Sequence, residues 1–386
     1  MSDLDTPVVV AARRTWIGTA GHGHRSRTET DLAASVLAAT HADLRALGGP
    51  SDVDDVLLGC CTGPGGNVAR VAALAAGLGV EVPGVTVDRQ CGSGLAAVLL
   101  GAQQVRAGDA TLVLAGGTES ASRAPARAHR TPGGDVPYSR APFTPAPWAD
   151  PGMGAAADAL AHRLGISRER QEAYAVRSHA RARAAHAAGR FAAETVHLGA
   201  PGTRRLDHDE RARTLDPGVL PRLPAAFTPD GTVTAATASP VSDGAASVAI
   251  VPERVRRELG VPGLRLVATA TVGSDPAEPG LGPVPATRAA LERAGWQVED
   301  LAAVEVVEAF AAQVLAVTDA LGLADRVCAD GGALALGHPW GASGAVAVVR
   351  LFSRLVRAGA PAGTRGLATV AVGGGLGIAA LVEVAR

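Results

Sequence analysis

One pattern occurs twice along this chain of 386 residues and restricts its fold more than any other feature. A glycine-rich turn opens a stretch of small residues at 91–97 and again at 341–347. A Val/Leu run that ends in adjacent glycines follows each copy, at 116–117 and at 373–375. Apolar runs that alternate with such helical stretches are typical of layered α/β folds. The sequence therefore predicts two copies of one α/β unit.

Short apolar runs mark the predicted strands of the two units. In the first unit they are residues 8–10, 56–58, 85–87 and 111–114. In the second unit they are residues 264–267, 303–306, 333–336 and 369–372.

The composition between the two units changes to Pro, Arg, His and Gly, with few strand-like runs. This change predicts an inserted, loop-rich domain. Within it, Ser167 as an N-cap and Gly189 as a terminator predict a helix over 168–190. The predicted division is therefore 1–118, 119–247 and 248–386.

Charge and hydropathy exclude several classes of protein. The formal net charge is −1 and there is no basic block, so we expect no binding to nucleic acid. No apolar run reaches the roughly 18 residues of a membrane helix, so we expect no membrane span. The acidic residues 1–5 do not resemble a secretory leader, which predicts a cytoplasmic protein.

The reactive side chains narrow the chemistry further. The chain has no lysine, which excludes Schiff-base catalysis and a P-loop lysine. Its four cysteines are too few and too irregularly spaced for a disulfide framework or a zinc site, so we expect no metal. They are Cys60, Cys61, Cys91 and Cys328.

Cys91 stands where a predicted strand passes through a glycine-rich turn into a predicted helix. Free backbone N–H groups and the helix dipole at such a position favour a thiolate, which makes Cys91 a candidate nucleophile. A single cysteine in an Ala-rich segment is more often a small core residue. The residues alone leave both interpretations open.

The segment 87–95, Val-Asp-Arg-Gln-Cys-Gly-Ser-Gly-Leu, resembles the nucleophile segment of thiolases. Further segments that resemble thiolase motifs follow in the family's order at 116–120, 153–154, 231–246, 308–313 and 331–344. The resemblance covers essentially the whole chain. It implies the thiolase fold, in which two similar α/β halves pack in five layers with an inserted loop domain. Assembly as a homodimer or homotetramer is also implied.

The resemblance also implies the roles of individual residues. Cys91 would take an acyl group from an acyl-CoA thioester, and His338 would accept the thiol proton. Gly375 would help Cys91 to form the oxyanion hole. No permanently bound cofactor is implied, since the acyl-CoA enters as substrate. The matched motifs place substrate contacts at Met153, Ser239, Ala309 and Phe310.

Two positions depart from the family's pattern. Thiolases carry a second catalytic cysteine where this chain has Ala371, and alanine cannot transfer a proton. They carry an asparagine where this chain has Val307, and valine offers no hydrogen bond. Losing a general acid/base typically removes about 10²–10⁴-fold in rate, whereas acylation of Cys91 needs neither lost group. Cys328 could replace the missing thiol only if its loop reached the site, and its position leads into a predicted strand instead.

Three functions follow from these motifs. The leading hypothesis is an acyltransferase that passes the acyl group from Cys91 to an acceptor, by CoA thiolysis or Claisen condensation. An alternative is transfer to an amine, an alcohol or water without carbon–carbon chemistry. The third is a non-catalytic thiolase-like partner subunit, against which the retention of Cys91 and His338 counts.

Overall fold

The computed structural model describes residues 3–199, 206–323 and 326–386. Residues 1 and 2, on which part of the prediction about the N-terminus relied, lie outside the described residues. The helices are α1 (Glu29–Ala46), α2 (Val68–Ala75), α3 (Ser93–Ala107), α4 (Met153–Leu164), α5 (Arg168–Ala187), α6 (Glu253–Leu259), α7 (Pro283–Ala294), α8 (Ala311–Leu321), α9 (Ala333–Leu336) and α10 (Trp340–Leu351).

The strands, in chain order, are β1 (Pro7–Thr15), β2 (Gly18–Thr19), β3 (Asp55–Gly59), β4 (Val85–Val87), β5 (Val113–Ser120), β6 (Arg127–Thr131), β7 (Gly134–Tyr138), β8 (Thr195–Val196), β9 (Ser242–Pro252), β10 (Gly263–Gly273), β11 (Leu301–Val306), β12 (Arg365–Val372) and β13 (Leu376–Ala385). Seven of the eight predicted strands overlap an observed one.

The strand order confirms the predicted duplication. In the first half the order is β1-β9-β5-β3-β4, and in the second it is β10-β13-β12-β11. In both halves the first two pairings are antiparallel and the third is parallel. The halves meet where β1 pairs with β10, with Val8 opposite Arg265 and Val9 opposite Leu264.

The helices form three layers around the two half-sheets. α3 and α10 pack against each other between the half-sheets, and their side chains belong to one continuous apolar core. α1 and α2 cover the outer face of the first half, whereas α7 and α8 cover the outer face of the second. The order helix, sheet, helix, sheet, helix gives five layers.

The repeated small-residue pattern has its cause in the contact between α3 and α10. A Cβ added at Gly94 would lie 2.7 Å from the carbonyl oxygen of Gly341, and one added at Gly344 would lie 2.6 Å from the Cβ of Leu95. Real Cβ atoms do not approach other atoms so closely, so larger residues would push the two helices apart. This contact brings the starts of both helices, and the turns before them, to the same region.

The segment between β5 and β9 holds the β6–β7 hairpin, α4 and α5. The helix predicted over 168–190 is confirmed as α5, whose N-cap Ser167 accepts a hydrogen bond from the backbone N–H of Arg170 at 3.3 Å. The two boundaries of the predicted loop domain, after 118 and after 247, fall within β5 and β9. The three-domain division stays a prediction.

The strand predicted at 333–336 is wrong, because these residues form the short helix α9. The buried Glu308 carboxylate accepts a hydrogen bond from the backbone N–H of Leu334 at 3.2 Å, within the first turn of α9. A carboxylate at the N-terminus of a helix accepts a hydrogen bond from a free N–H group and interacts favourably with the helix dipole. An apolar run of four residues is too short for its hydrophobic periodicity to distinguish a strand from a helix.

Within the described ranges no helix combines the length and apolarity needed to cross a membrane. The same ranges contain no group of three or more His, Cys, Asp or Glu side chains that could hold a metal ion.

Candidate active site

A cavity of about 550 Å³ opens beside the turns that precede α3 and α10. Apolar side chains from α4, from the start of α8 and from the end of β12 form much of its wall. The structure brings these predicted residues together on that wall: Cys91, His338, Met153, Ser239, Ala309, Phe310 and Ala371.

Cys91 lies two residues before the first residue of α3, as predicted. The preceding residue, Gln90, has a φ of 48°, a conformation that side-chain-bearing residues rarely adopt. Three donors hold the Gln90 carbonyl oxygen in place: the Ser93 hydroxyl at 2.6 Å, the Ser93 backbone N–H at 2.9 Å and the Cys61 thiol at 3.1 Å. The orientation of Cys91 is therefore fixed by its neighbours.

The Cys91 thiol is protonated at neutral pH. Burial raises its pKa to about 12, against the smaller opposing effect of a hydrogen bond from its own backbone N–H. The negative charges of Glu119 and Asp88 raise the pKa further. The sequence led us to expect a stabilised thiolate, so desolvation outweighs the helix dipole here. Cys91 can therefore act as a nucleophile only if a base removes this proton.

His338 is suited to that task. Burial lowers its pKa to about 4, so the imidazole is neutral at pH 7. Its Nδ1 lies 2.7 Å from the Ser343 hydroxyl oxygen, and that hydroxyl donates to the Pro339 carbonyl at 2.9 Å. Because the single hydroxyl hydrogen goes to Pro339, Nδ1 carries a hydrogen and donates it to Ser343. Nε2 is then the bare nitrogen, and within the described ranges it has no hydrogen-bond partner.

Glu119 connects the turns of the two halves. Its carboxylate accepts hydrogen bonds from the Cys61 N–H at 3.2 Å, from the Thr62 hydroxyl at 2.6 Å and from the Gly341 N–H at 2.9 Å. The first two donors follow β3, and the third lies at the start of α10. One buried carboxylate thus fixes the loop beside Cys91 relative to the helix that follows His338.

The predicted substrate contacts form a second wall of the cavity. The Ser239 N–H donates to the Ala309 carbonyl at 2.9 Å, which joins two of the matched motifs. Phe310 packs edge-on against Phe227, with ring centroids 5.7 Å apart. Met153 begins α4. This wall is apolar and accessible, a surface that suits the chain of a thioester.

Known proteins resemble the chain over nearly its full length. The family model "Thiolase, N-terminal domain" matches residues 7–254, and "Thiolase, C-terminal domain" matches residues 262–384. The chain belongs to the thiolase family. The acetyl-CoA acetyltransferase of Chromobacterium violaceum is 42% identical over 97% of this thiolase and 98% of its own length. That of Shinella zoogloeoides is 41% identical over 98% and 100%, respectively.

The crystal structure of the Bacillus anthracis acetyl-CoA acetyltransferase has a TM-score of 0.90 to this thiolase, at 35% identity, and the match covers 98% and 99% of the two chains. The predicted thiolase fold is therefore confirmed, and the chain is an enzyme of the thiolase type.

Two predicted site residues of this thiolase lie apart from the cavity wall. Val307 lines a separate space of about 30 Å³, together with Ser343 and Arg350. The Gly375 carbonyl accepts a hydrogen bond from the Ser274 N–H at 2.6 Å, and Gly375 is not among the described residues that line the main cavity. From the same glycine run, Gly373 does line it.

Sequence reasoning missed three residues of the thiolase site. The sequence assigns no role to Cys61, yet Cys61 lines the cavity with Cys91. The roles of Ser343 and Gln313 were not recognised, although both lie within matched motifs. The five-residue spacing from His338 to Ser343, around the start of α10, was the available signal for the first of these.

Proposed function

We propose that this thiolase takes an acyl group from an acyl-CoA thioester onto Cys91 and transfers it to an acceptor, by CoA thiolysis or Claisen condensation as in its family. The observation that carries the proposal is that a neutral thiol and a neutral imidazole line one cavity. The relatives named acetyl-CoA acetyltransferase support an acyl-CoA as donor.

In the proposed first half-reaction, Nε2 of His338 accepts the proton of the Cys91 thiol while the sulfur attacks the thioester carbonyl. A carbon–sulfur bond forms to Cys91, and the bond to the CoA sulfur breaks. The imidazolium returns its proton to the departing CoA thiolate, so no net charge remains. Because the cavity is largely apolar, the transient charges need a preorganised donor.

We propose the backbone N–H groups of Cys91 and Gly373 as that oxyanion hole. Gly373 lines the cavity, whereas Gly375 is not among the described residues that line it. Gly373 is therefore the better supported of the two candidates in the last loop.

A second candidate function is supported by Ala371. This residue lines the cavity and offers only a methyl group where the family has a thiol. Removal of an α-proton from a second acyl-CoA lacks its usual base, whereas transfer to an amine, an alcohol or water needs only Cys91 and His338. The acceptor side of the reaction therefore decides between the two candidates.

Intact-protein mass spectrometry tests the donor side. The purified chain is incubated with a panel of acyl-CoA thioesters from acetyl to longer chains, and one acyl mass should appear on the wild type. Peptide mapping should place it on Cys91. An adduct of equal size on Cys91→Ser would remove Cys91 from the nucleophile role.

A further inference from the structure

Gln313 is a buried amide that the proposed chemistry does not use. It lies in the first turn of α8 and is 2% exposed, yet its side chain lines the active-site cavity. Neither its Nε2 nor its Oε1 has a hydrogen-bond partner within the described residues. Buried amides are almost always bonded, and an unbonded one is costly unless something else bonds to it.

The described residues that pack beside Gln313 on the cavity wall are apolar. A Cβ placed on Gly280 would lie 3.0 Å from Leu160 Cδ2 and 3.2 Å from Gln313 Cγ, so these three residues meet at one point of the wall. The neighbouring lining residues on α4, Ala156 and Ala157, are buried and apolar. The amide is therefore a polar group on an apolar part of the cavity wall.

We propose that Gln313 is a polar subsite for the acyl chain, and that it selects thioesters whose chain carries a hydroxyl group. This inference rests on the proposed function, since it assumes that acyl-CoA is the donor. An amide can donate to such a group and accept from it. A purely alkyl chain would leave both atoms unpaired, and the neighbours Leu160, Ala156 and Ala157 offer a carboxylate no cation.

The test compares matched donors that differ by one hydroxyl. Rates of Cys91 acylation are measured by intact mass for hexanoyl-CoA, 3-hydroxyhexanoyl-CoA and 5-hydroxyhexanoyl-CoA. At least one hydroxylated donor should react about tenfold faster than hexanoyl-CoA, since it satisfies the amide. In Gln313→Met, which keeps the length of the side chain and removes the amide, the ratio should fall to about one or below.

A matched control is available at Gln171. It too is buried with an unbonded Oε1, but it is not among the described residues that line the cavity. Gln171→Met should keep the wild-type ratio, which separates the subsite from a general effect of losing a buried amide. Circular dichroism of both variants checks that they are folded.

Two results would overturn the subsite. One is a wild type that reacts with hexanoyl-CoA as fast as with both hydroxylated donors; the other is a hydroxyl preference that persists in Gln313→Met. Failure of the proposed function is a different result: no donor would acylate Cys91. In that case the dissociation constants of the same three thioesters, measured by calorimetry on wild type and Gln313→Met, decide the subsite by the same ratio.

Discussion

The turns that precede α3 and α10 occupy equivalent positions in the two halves of the molecule. They differ in the reactive side chain that each presents and in the contacts that hold it. The first half holds Cys91 through Gln90, whose carbonyl receives three hydrogen bonds. The second half holds His338 through Ser343, but Ala371, the residue before the last one of β12, stands where the family has a thiol. In the proposed function, capture of an acyl group and carbon–carbon chemistry therefore depend on separable parts of the site.

The pKa shifts of Cys91 and His338 are opposite in direction and have the same cause. Burial raises the pKa of Cys91 to about 12 and lowers that of His338 to about 4. Each group rests neutral because the cavity disfavours charge. In the proposed acylation, the ion pair forms only as the substrate carbonyl accepts the sulfur.

The largest effect is expected in the first half. Cys91→Ala should abolish acylation by every acyl-CoA, because no other nucleophile occupies that position. Cys61→Ser is the matched variant, since Cys61 also lines the cavity, and it should still take up one acyl mass. If Cys91→Ala retained the adduct and Cys61→Ser lost it, the roles of the two thiols would be exchanged.

In the second half, His338→Ala should slow acylation by about 10²–10⁴-fold, the usual contribution of a general base. His179→Ala is the matched control. His179 is also buried with a pKa lowered to about 4 and an unbonded Nε2, but it does not line the cavity among the described residues. Equal losses in both variants, measured by stopped-flow release of CoA, would point to a structural role for His338.

The pH dependence of acylation follows from the same pKa. His338 accepts a proton only while neutral, and its lowered pKa keeps it neutral until the pH falls towards about 4. The acylation rate of the wild type should therefore stay level down to about pH 5 and then decrease. A decrease centred near 6.5, the ordinary value for histidine, would contradict the burial of the imidazole.

Restoring the missing thiol and amide of the second half should have the next largest effect, which is on the exchange of α-protons. Wild-type protein should exchange the α-protons of acetyl-CoA with deuterated water very slowly. Ala371→Cys should accelerate this exchange by about 10² or more, because a thiol then lines the cavity. Val307→Asn alone should do less, since Val307 lies in the separate small space. The double variant should exceed either, and proton NMR of acetyl-CoA gives the rates.

Rapid cleavage of acetoacetyl-CoA by the unmodified enzyme would contradict the expected loss of carbon–carbon chemistry. If the unmodified enzyme cleaves acetoacetyl-CoA at about 10 s⁻¹, a rate ordinary for enzymes, another group supplies the proton transfer. Cys61 would then be the next residue to change, because it is the other thiol on the cavity wall.

Local features of the structure could be predicted from the sequence, whereas features that depend on distant residues could not. The turn at Cys91, the helix α5 and the duplication follow from local patterns and are all present in the structure. The nature of α9 and the position of Cys61 depend on Glu308 and Glu119, two buried carboxylates that lie far from them along the chain. The protonation of Cys91 depends on burial, which no motif specifies.

Ser343→Ala should have a moderate effect through His338. Without the hydroxyl, Nδ1 loses its acceptor and the imidazole can place its hydrogen on either nitrogen, so part of the population has Nε2 blocked. We expect acylation to slow by up to about tenfold, since one hydrogen bond is lost. Ser343→Thr should restore most of the rate. A purely structural role would lower the melting temperature without changing the rate of the folded protein.

The smallest effect is expected at Cys328, which lies in the second half but belongs to its outer core. Its thiol donates to the Val306 carbonyl at 3.2 Å, and burial raises its pKa well above the ordinary range, with Glu308 and Glu305 adding to the rise. Such a thiol neither reaches the described cavity wall nor transfers protons near neutral pH.

In Cys328→Ser the hydroxyl can keep the hydrogen bond, so the free energy of unfolding should change by about 1 kcal/mol at most. Acylation and α-proton exchange should equal those of the wild type. A loss of exchange without a loss of stability would place Cys328 in the proton transfer and would connect the outer core of the second half to its chemistry.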